Sequence, residues 1–304
     1  MNFLLHTHTG SEGFWSGLLK EVLWHGFLDT LKLVPFLFLT YLLMEFIEHR
    51  AADKTRAFLK RAGGLGPLAG GALGALPQCG FSAAAANLYT GRVVTLGTLI
   101  AVFLSTSDEM LPILVSGEVG FGRAMLIVGY KAAVGILVGF AVDFALRLMH
   151  KGTEEINIDE ICDNDNCHCE RGILHSALHH TTTTGLFILL VTLLINAAIF
   201  FIGEDALASV MHDAPVISHA IAAVFGLIPN CAASVILATL ASEGIITAGT
   251  MMAGLFSGSG IGLLVLFRVN KNLKQNLFIT ALLIITGFIF GLLADFVPFL
   301  ANLL

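Results

Sequence analysis

Apolar positions along the chain gather into long runs instead of short alternations. LVPFLFLTYLLM, AMLIVGY, GLFILLVTLLINAAIFFIG and LFITALLIITGFIFGLLADF approach or reach the length that crosses a hydrocarbon core, ~20 residues at ~30 Å. They predict spans at 28–48, 93–116, 122–149, 183–203, 245–267 and 276–302, and they leave no room for a large soluble domain. Ahead of the first span, residues 13–27 place Trp15, Leu18, Leu19, Val22, Leu23 and Phe27 at mixed helical spacing. That suits a short interfacial helix or a plain lead-in, so residues 1–27 read as an N-terminal interfacial segment. This N-terminus lacks a basic leader with a long apolar core, and no signal cleavage is expected.

Two stretches interrupt the apolar pattern in the same way. GALPQCGFSAAAANLYTGRVVTLGTLIAVFLSTS from Gly74 aligns without a gap to GLIPNCAASVILATLASEGIITAGTMMAGLFSGS from Gly226. Pro77 pairs with Pro229 and Cys79 with Cys231, and 229 − 77 and 231 − 79 both give 152. The same offset pairs Ser82 with Ser234, Thr95 with Thr247, Gly97 with Gly249, Thr98 with Thr250, Ser105 with Ser257 and Ser107 with Ser259. Chance likeness of two apolar helices would match Leu and Ala, whereas here Pro, Cys, Ser, Thr and Gly coincide. The chain therefore divides into a first repeat at 28–149, a linking loop at 150–182 and a second repeat at 183–304.

Charge orients the repeats. The segment after the first span carries Arg50, Lys54, Arg56, Lys60 and Arg61, and its counterpart GEDALASVMHDAP carries no Lys or Arg. Conversely, RVNKNLK has Arg268, Lys271 and Lys274, and its counterpart SGEVGFGR only Arg123. By the positive-inside rule the two halves are inverted across the membrane. Residues 63–92 then have to return to the side they came from, as a broken helical hairpin turning at LPQCG, and 213–243 form its inverted copy turning at IPNCA. The expected fold class is an all-α polytopic membrane protein of two inverted-topology repeats. Each has three full spans plus a broken hairpin, about ten transmembrane segments in total.

Composition agrees, with 56% hydrophobic and 12% charged residues and a mean hydropathy of +0.85, against roughly 25% charged in soluble domains. The net charge of −6 argues against a nucleic-acid partner. The expected partners are the bilayer and a transported ion, and a homo-oligomer stays open. The expected location is the inner (plasma) membrane, multi-pass, with the central loop cytoplasmic.

Chemistry concentrates at the breaks. A proline inside a span frees backbone groups that are tolerated in lipid only where they are buried in protein or line a cavity. Beside each proline stand an amide and a thiol, Gln78 with Cys79 and Asn230 with Cys231, and soft sulfur suits a thiophilic metal or metalloid. Ser105 and Ser257 stand two residues before the ends of the aligned stretches. Only the first copy continues into acids, Asp108 and Glu109, suited to a hard divalent cation or to coupling protons. Lys131 and Asp143 lie within spans, to pair with acids or snorkel, while Asn87 and Asn196 read as interhelical hydrogen-bonders. In the linking loop, Cys162, Cys167, His168 and Cys169 stand among acids, followed by His175, His179 and His180 on a predicted helix where 175 and 179 share a face. Reduced cytoplasmic thiols favour metal binding over disulfides, so a transition-metal ion in the 159–180 loop is the one cofactor to expect.

The G-x-x-P-x-C turns, the later G-T and S-x-S in both copies, the Cys/His-rich loop before HSALHHT and the run GLIPNCAASV…GLLVLFRVNKNLK resemble the ten-transmembrane heavy-metal exporters, labelled arsenic efflux protein or manganese transporter. The chain is more distantly similar to the arsenical permeases with a P-x-C-x-C turn, although Phe81 and Ala233 stand where that turn has its second cysteine. The resemblance implies export of a metal or metalloid ion. With no Walker motif in the chain, the expectation is a secondary transporter coupled to protons or membrane potential, not an enzyme. Two alternatives stay open: a permease for a small organic or anionic solute with a structural metal loop, and a metal-dependent membrane enzyme built on His175, His179 and His180.

Overall fold

The computed structural model describes residues 65–76, 79–106, 121–148, 173–202, 215–229, 231–242 and 244–296, with single positions between 24 and 42. Among these, every regular element is helical. The first half contributes α1 (Gly66–Gly74), α2 (Cys79–Thr90), α3 (Leu96–Ser105) and α4 (Phe121–Leu148). Helix α5 (Ile173–Ile202) follows, then α6 (Pro215–Phe225), α7 (Cys231–Ser242), α8 (Ala248–Ser257), α9 (Ile261–Val269) and α10 (Leu273–Phe296). The 152-residue offset maps α2 onto α7 and α3 onto α8 end for end, and the start of α4 onto the start of α10.

Local sequence sets these boundaries twice over. Thr95 and Thr247 are extended, with φ −75° and −73°, and each hydroxyl accepts the amide N–H three residues on, Thr98 or Thr250, at 3.1 Å. That satisfies one of the donors a helix start leaves orphaned. The turn entering each cap is also duplicated: Arg92 at φ 56° and Gly244 at φ 73° hold the same left-handed position. Glycines bring the helices close. A Cβ on Gly97 would collide with Gly139 O, and one on Gly249 would lie 2.5 Å from Gly291 O, so α3 seats on α4 and α8 on α10 backbone to backbone.

Helices α1 and α2 are the arms of the first predicted hairpin, whose turn residues 77 and 78 lie outside the described residues. Gly66 opens α1 beside Thr98 at the start of α3, and Gly74 closes it beside Ser105 at the end of α3. Helix α1 therefore runs parallel to α3, and α2 returns to the level where α3 begins. The arms nonetheless favour different neighbours, since α1 packs on α3 and α4 of its own half whereas α2 packs chiefly on α9 of the other half, with a lighter contact to α3.

That crossing also shows the inversion. The start of α9 meets the start of α2, where a Cβ on Gly262 would lie 2.7 Å from Ser82 Cβ. Tyr89, near the end of α2, is hydrogen-bonded by Gln275 Nε2 just past α9. The α8–α9 stretch thus finishes at the level where α3 starts, and the equivalent helices α3 and α8 run antiparallel. Arg92, Arg147, Arg268, Lys271 and Lys274 all fall at this one end.

Phe121–Leu148, Ala248–Val269 and Leu273–Phe296 are long and apolar enough to cross a membrane. Every residue of α3 and α8 is buried, while α4 and α10 turn Leu137, Phe140, Phe144, Leu277, Ile285 and Leu293 outward. A buried central pair flanked by helices with apolar outer faces is the layout of an all-α polytopic membrane protein.

One departure from the sequence expectation has a local cause. The span expected at 245–267 is interrupted at 258–260, where Gly258 leaves the helix and Gly260 takes φ 54°, a conformation open to glycine. Helix α5 begins at Ile173, so the helix expected around residues 175–180 runs on without a break into the span expected at 183–203. Along it Thr181, Thr182 and Thr183 satisfy their hydroxyls by donating back to Ala177 O, Leu178 O and His179 O.

Candidate ion site at the converging helix breaks

The end of α1, the second proline turn and the interruption of the α8–α9 span come together. Gly74, at the end of α1, would collide with Ser105 Oγ if it carried a Cβ. A Cβ on Gly226, just past α6, would reach Ser257 Oγ at 2.5 Å, and one on Gly258 would reach Gly226 O at 3.2 Å. With Ser82 against Gly262, the interruption at 258–262 borders both the second turn and the helix that leaves the first. The C-terminal ends of α1, α3, α6 and α8 and the starts of α2 and α9 therefore meet inside the protein. Helix ends carry partial charges, negative at C-termini and positive at N-termini.

A buried cation answers the C-terminal ends. Lys131 of α4 is 1% exposed, and its Nζ donates to Thr106 O at the end of α3 and to Leu255 O in the last turn of α8, the latter at 2.7 Å. Two of its partners are thus backbone carbonyls; Asp108 and Glu109, the acids that follow Thr106 in the sequence, lie outside the described residues. The Leu255 carbonyl is an orphan of an interrupted helix, since α8 stops before Ser259 can return a hydrogen bond to it.

The hydroxyls at the junction divide into two kinds. Ser105 Oγ donates to Ala101 O at 2.7 Å, Thr106 Oγ1 to Val102 O at 2.7 Å and Ser257 Oγ to Gly254 O at 2.9 Å. Their protons are committed to their own helices and their lone pairs are what they offer. Ser259, 1% exposed, has no hydrogen-bond partner on Oγ among the described residues.

Farther from the junction, each half carries a carboxylate clasp that the sequence reading missed as a pair. Asp143 Oδ2 accepts from Thr95 Oγ1 at 2.7 Å and Oδ1 from Gly97 N at 2.8 Å. Asp295 repeats this on Thr247 Oγ1 at 2.8 Å and Gly249 N at 2.7 Å. Each aspartate reaches from a long helix to the N-terminus of a buried one, where negative charge is favoured. Carrying Asp143 forward by the 152-residue offset lands on Asp295, and that was the available signal. The second clasp has an addition, His219 of α6, standing where the first half has Pro67. Its Nε2 lies 3.0 Å from Asp295 Oδ2 and its Nδ1 3.5 Å from Thr250 Oγ1. The Nε2 contact is off the line an N–H prefers, which makes it a charge contact more than an aligned hydrogen bond.

Of the predicted site residues, Ser105 and Ser257 are at the junction, both fully buried. Cys79 and Cys231 are the first residues of α2 and α7, and their side chains lie outside the described residues. So do Gln78, Asn230, Asp108, Glu109, Cys162, Cys167, His168 and Cys169. His175 and His179 are exposed on α5, one turn apart as expected. Among the described residues no three His, Cys, Asp or Glu side chains group as a metal site. Asn87 behaves as an interhelical hydrogen-bonder: its Oδ1 accepts from Tyr41 OH at 3.3 Å, and Tyr41 OH lies 2.8 Å from Thr184 Oγ1 on α5.

A family model described as "Putative, 10TM heavy-metal exporter" matches residues 19–202. No curated protein and no solved structure matches the chain.

Proposed function

The chain belongs to this 10TM heavy-metal exporter family, and on that premise we propose that it is a secondary transporter. It carries a metal or metalloid ion, manganese, another divalent metal or arsenic, out of the cell through the junction of helix breaks. The observation that carries this reading is the meeting of interrupted helix ends in the buried middle of an inverted pair of repeats, the arrangement in which transporters hold substrate and coupling ion. In this reading Cys79, Cys231, Gln78, Asn230, Asp108 and Glu109 bind the ion at the turns, with Ser105 and Ser257 supplying lone pairs. The drive is protons or membrane potential. The loop at 159–180, with Cys162, Cys167, His168, Cys169, His175 and His179, gathers or senses metal at the cytoplasmic face of the plasma membrane. The basic end formed by Arg92, Arg147, Arg268, Lys271 and Lys274 supports that orientation.

The test is efflux from cells loaded in turn with manganese, other divalent metals, arsenite and arsenate. Loss of efflux of one ion in Cys79→Ser/Cys231→Ser and in Asp108→Ala is the expected result, and unchanged efflux in all variants sinks the site assignment. Deleting 159–170 is expected to weaken efflux without abolishing it. A second reading, a permease for a small anionic solute, draws on the buried Lys131 and the helix starts at Cys79, Cys231 and Ile261. Transport of arsenate but of no cation would favour it.

A further inference from the structure

Ser259 is a hydroxyl in a place where an unmade hydrogen bond is costly. It is 1% exposed, and its Oγ has no hydrogen-bond partner among the described residues, although buried polar groups in folded proteins are almost always paired. The neighbouring serines differ in this. Ser105 Oγ donates to Ala101 O and Ser257 Oγ to Gly254 O, so each returns its proton to its own helix. Ser259 stands between α8 and α9, off both helices, and lacks the preceding helical turn whose carbonyl such a hydroxyl takes.

Its main chain is nonetheless anchored. Ser259 O accepts from Gly262 N at 3.2 Å in the first turn of α9, and Gly260 beside it holds φ 54°. The residues on either side fix its surroundings. A Cβ on Gly258 would lie 3.2 Å from Gly226 O at the second proline turn, and one on Gly262 would lie 2.7 Å from Ser82 Cβ near the start of α2. The unpaired hydroxyl is thus held between the second turn and the helix that leaves the first. A hydroxyl oxygen is a hard, neutral ligand of the kind that manganese or magnesium takes, whereas thiolate selects softer cations. The C-terminal ends of α1, α3, α6 and α8, which meet at this junction, lend it negative potential.

We propose that Ser259 is a direct ligand of the transported ion, left unpaired by the fold so that it can turn to a hard divalent cation, and that its oxygen sets the preference for such a cation over a soft one. The proposal rests on the exporter reading for transport, and it adds a residue that the reading does not contain. A side chain kept unpaired lowers stability and serves binding, so its removal separates the two.

Ser259→Ala in the full chain removes no hydrogen bond among the described residues, and its unfolding temperature in detergent is expected to be unchanged or higher. Manganese efflux from loaded cells is expected to fall roughly tenfold or more in the same variant. Ser259→Cys puts sulfur at that ligand position and is expected to raise the ratio of cadmium to manganese efflux by roughly tenfold or more. A lower unfolding temperature or failure to fold in Ser259→Ala makes the hydroxyl structural and overturns the proposal. So does manganese efflux near the wild-type level in Ser259→Ala, or an unchanged ratio in Ser259→Cys. Absence of efflux of both metals with the wild-type chain counts against the exporter reading for them, and binding then decides the site. The purified full chain in detergent is titrated with manganese(II), and the free ion is read by its paramagnetic resonance. Metal held by the 159–180 loop is common to both chains. Loss or weakening of one bound manganese in Ser259→Ala therefore supports the site, and binding equal to wild type overturns it.

Discussion

The two halves agree wherever the chain must be held in shape and differ wherever it carries isolated charge. Both have the threonine cap, the aspartate clasp, the left-handed turn and the glycine seat at corresponding positions. Lys131 faces Leu283 across the repeat, His219 faces Pro67, Asp108 and Glu109 face Gly260 and Ile261, and Asn87 faces Thr239. A clasp is needed once for each buried helix, because every helix start has its own orphan N–H groups. A charge at the crossing reaches both halves, so one suffices. Duplication therefore marks the frame, and its failure marks where the two halves differ in charge.

Breaking the clasps tests the agreement. Asp143→Ala removes two charge-assisted hydrogen bonds and leaves Gly97 N–H buried, an expected loss of about 3 kcal/mol. Asp295→Ala is expected to cost less, about 2 kcal/mol, because Asp295 is only half-buried whereas Asp143 is buried, and water can take over its partners. Unfolding in detergent with graded denaturant measures both, and equal losses would show that burial does not set the difference. The glycine seats come next: Gly97→Ala and Gly249→Ala each drive a Cβ into a neighbouring helix, for about 2 kcal/mol apiece. Gly129→Ala, with open space around it, should lose nothing.

Smaller effects test the differences. His219→Ala should cost about 1 kcal/mol, and a double-mutant cycle with Asp295→Ala should return a coupling of about 0.5 to 1.5 kcal/mol. Additive losses would reduce His219 to packing. Least of all, Arg92→Gly should stabilise by about 0.5 to 1 kcal/mol by relieving its left-handed backbone, while Gly244→Ala at the same position should destabilise by about as much.

The repeat, the inversion and the place of each proline turn were legible in the sequence because Pro, Cys and Thr fix local conformation and recur at one spacing. Cys79 and Cys231 do open the helices that follow the turns. The interruption at 258–260 was not legible, since Ser-Gly-Ser-Gly inside an apolar run reads as a small-residue packing face until the φ of Gly260 is known. The clasp escaped because Asp143 and Thr95 are 48 residues apart and nothing local joins them. Which arm of a hairpin packs on which half also lies beyond periodicity: short helices of small residues such as Ala83 to Ala86 fit against many surfaces.

That unequal allegiance of the hairpin arms has a mechanical meaning. Helix α1 is fastened to its own half, and α2 lies chiefly on α9 of the other half with a lighter contact to α3. Any displacement of one half against the other must then slide α2 along one of these two surfaces, and the lighter contact, to α3, is the one that gives first.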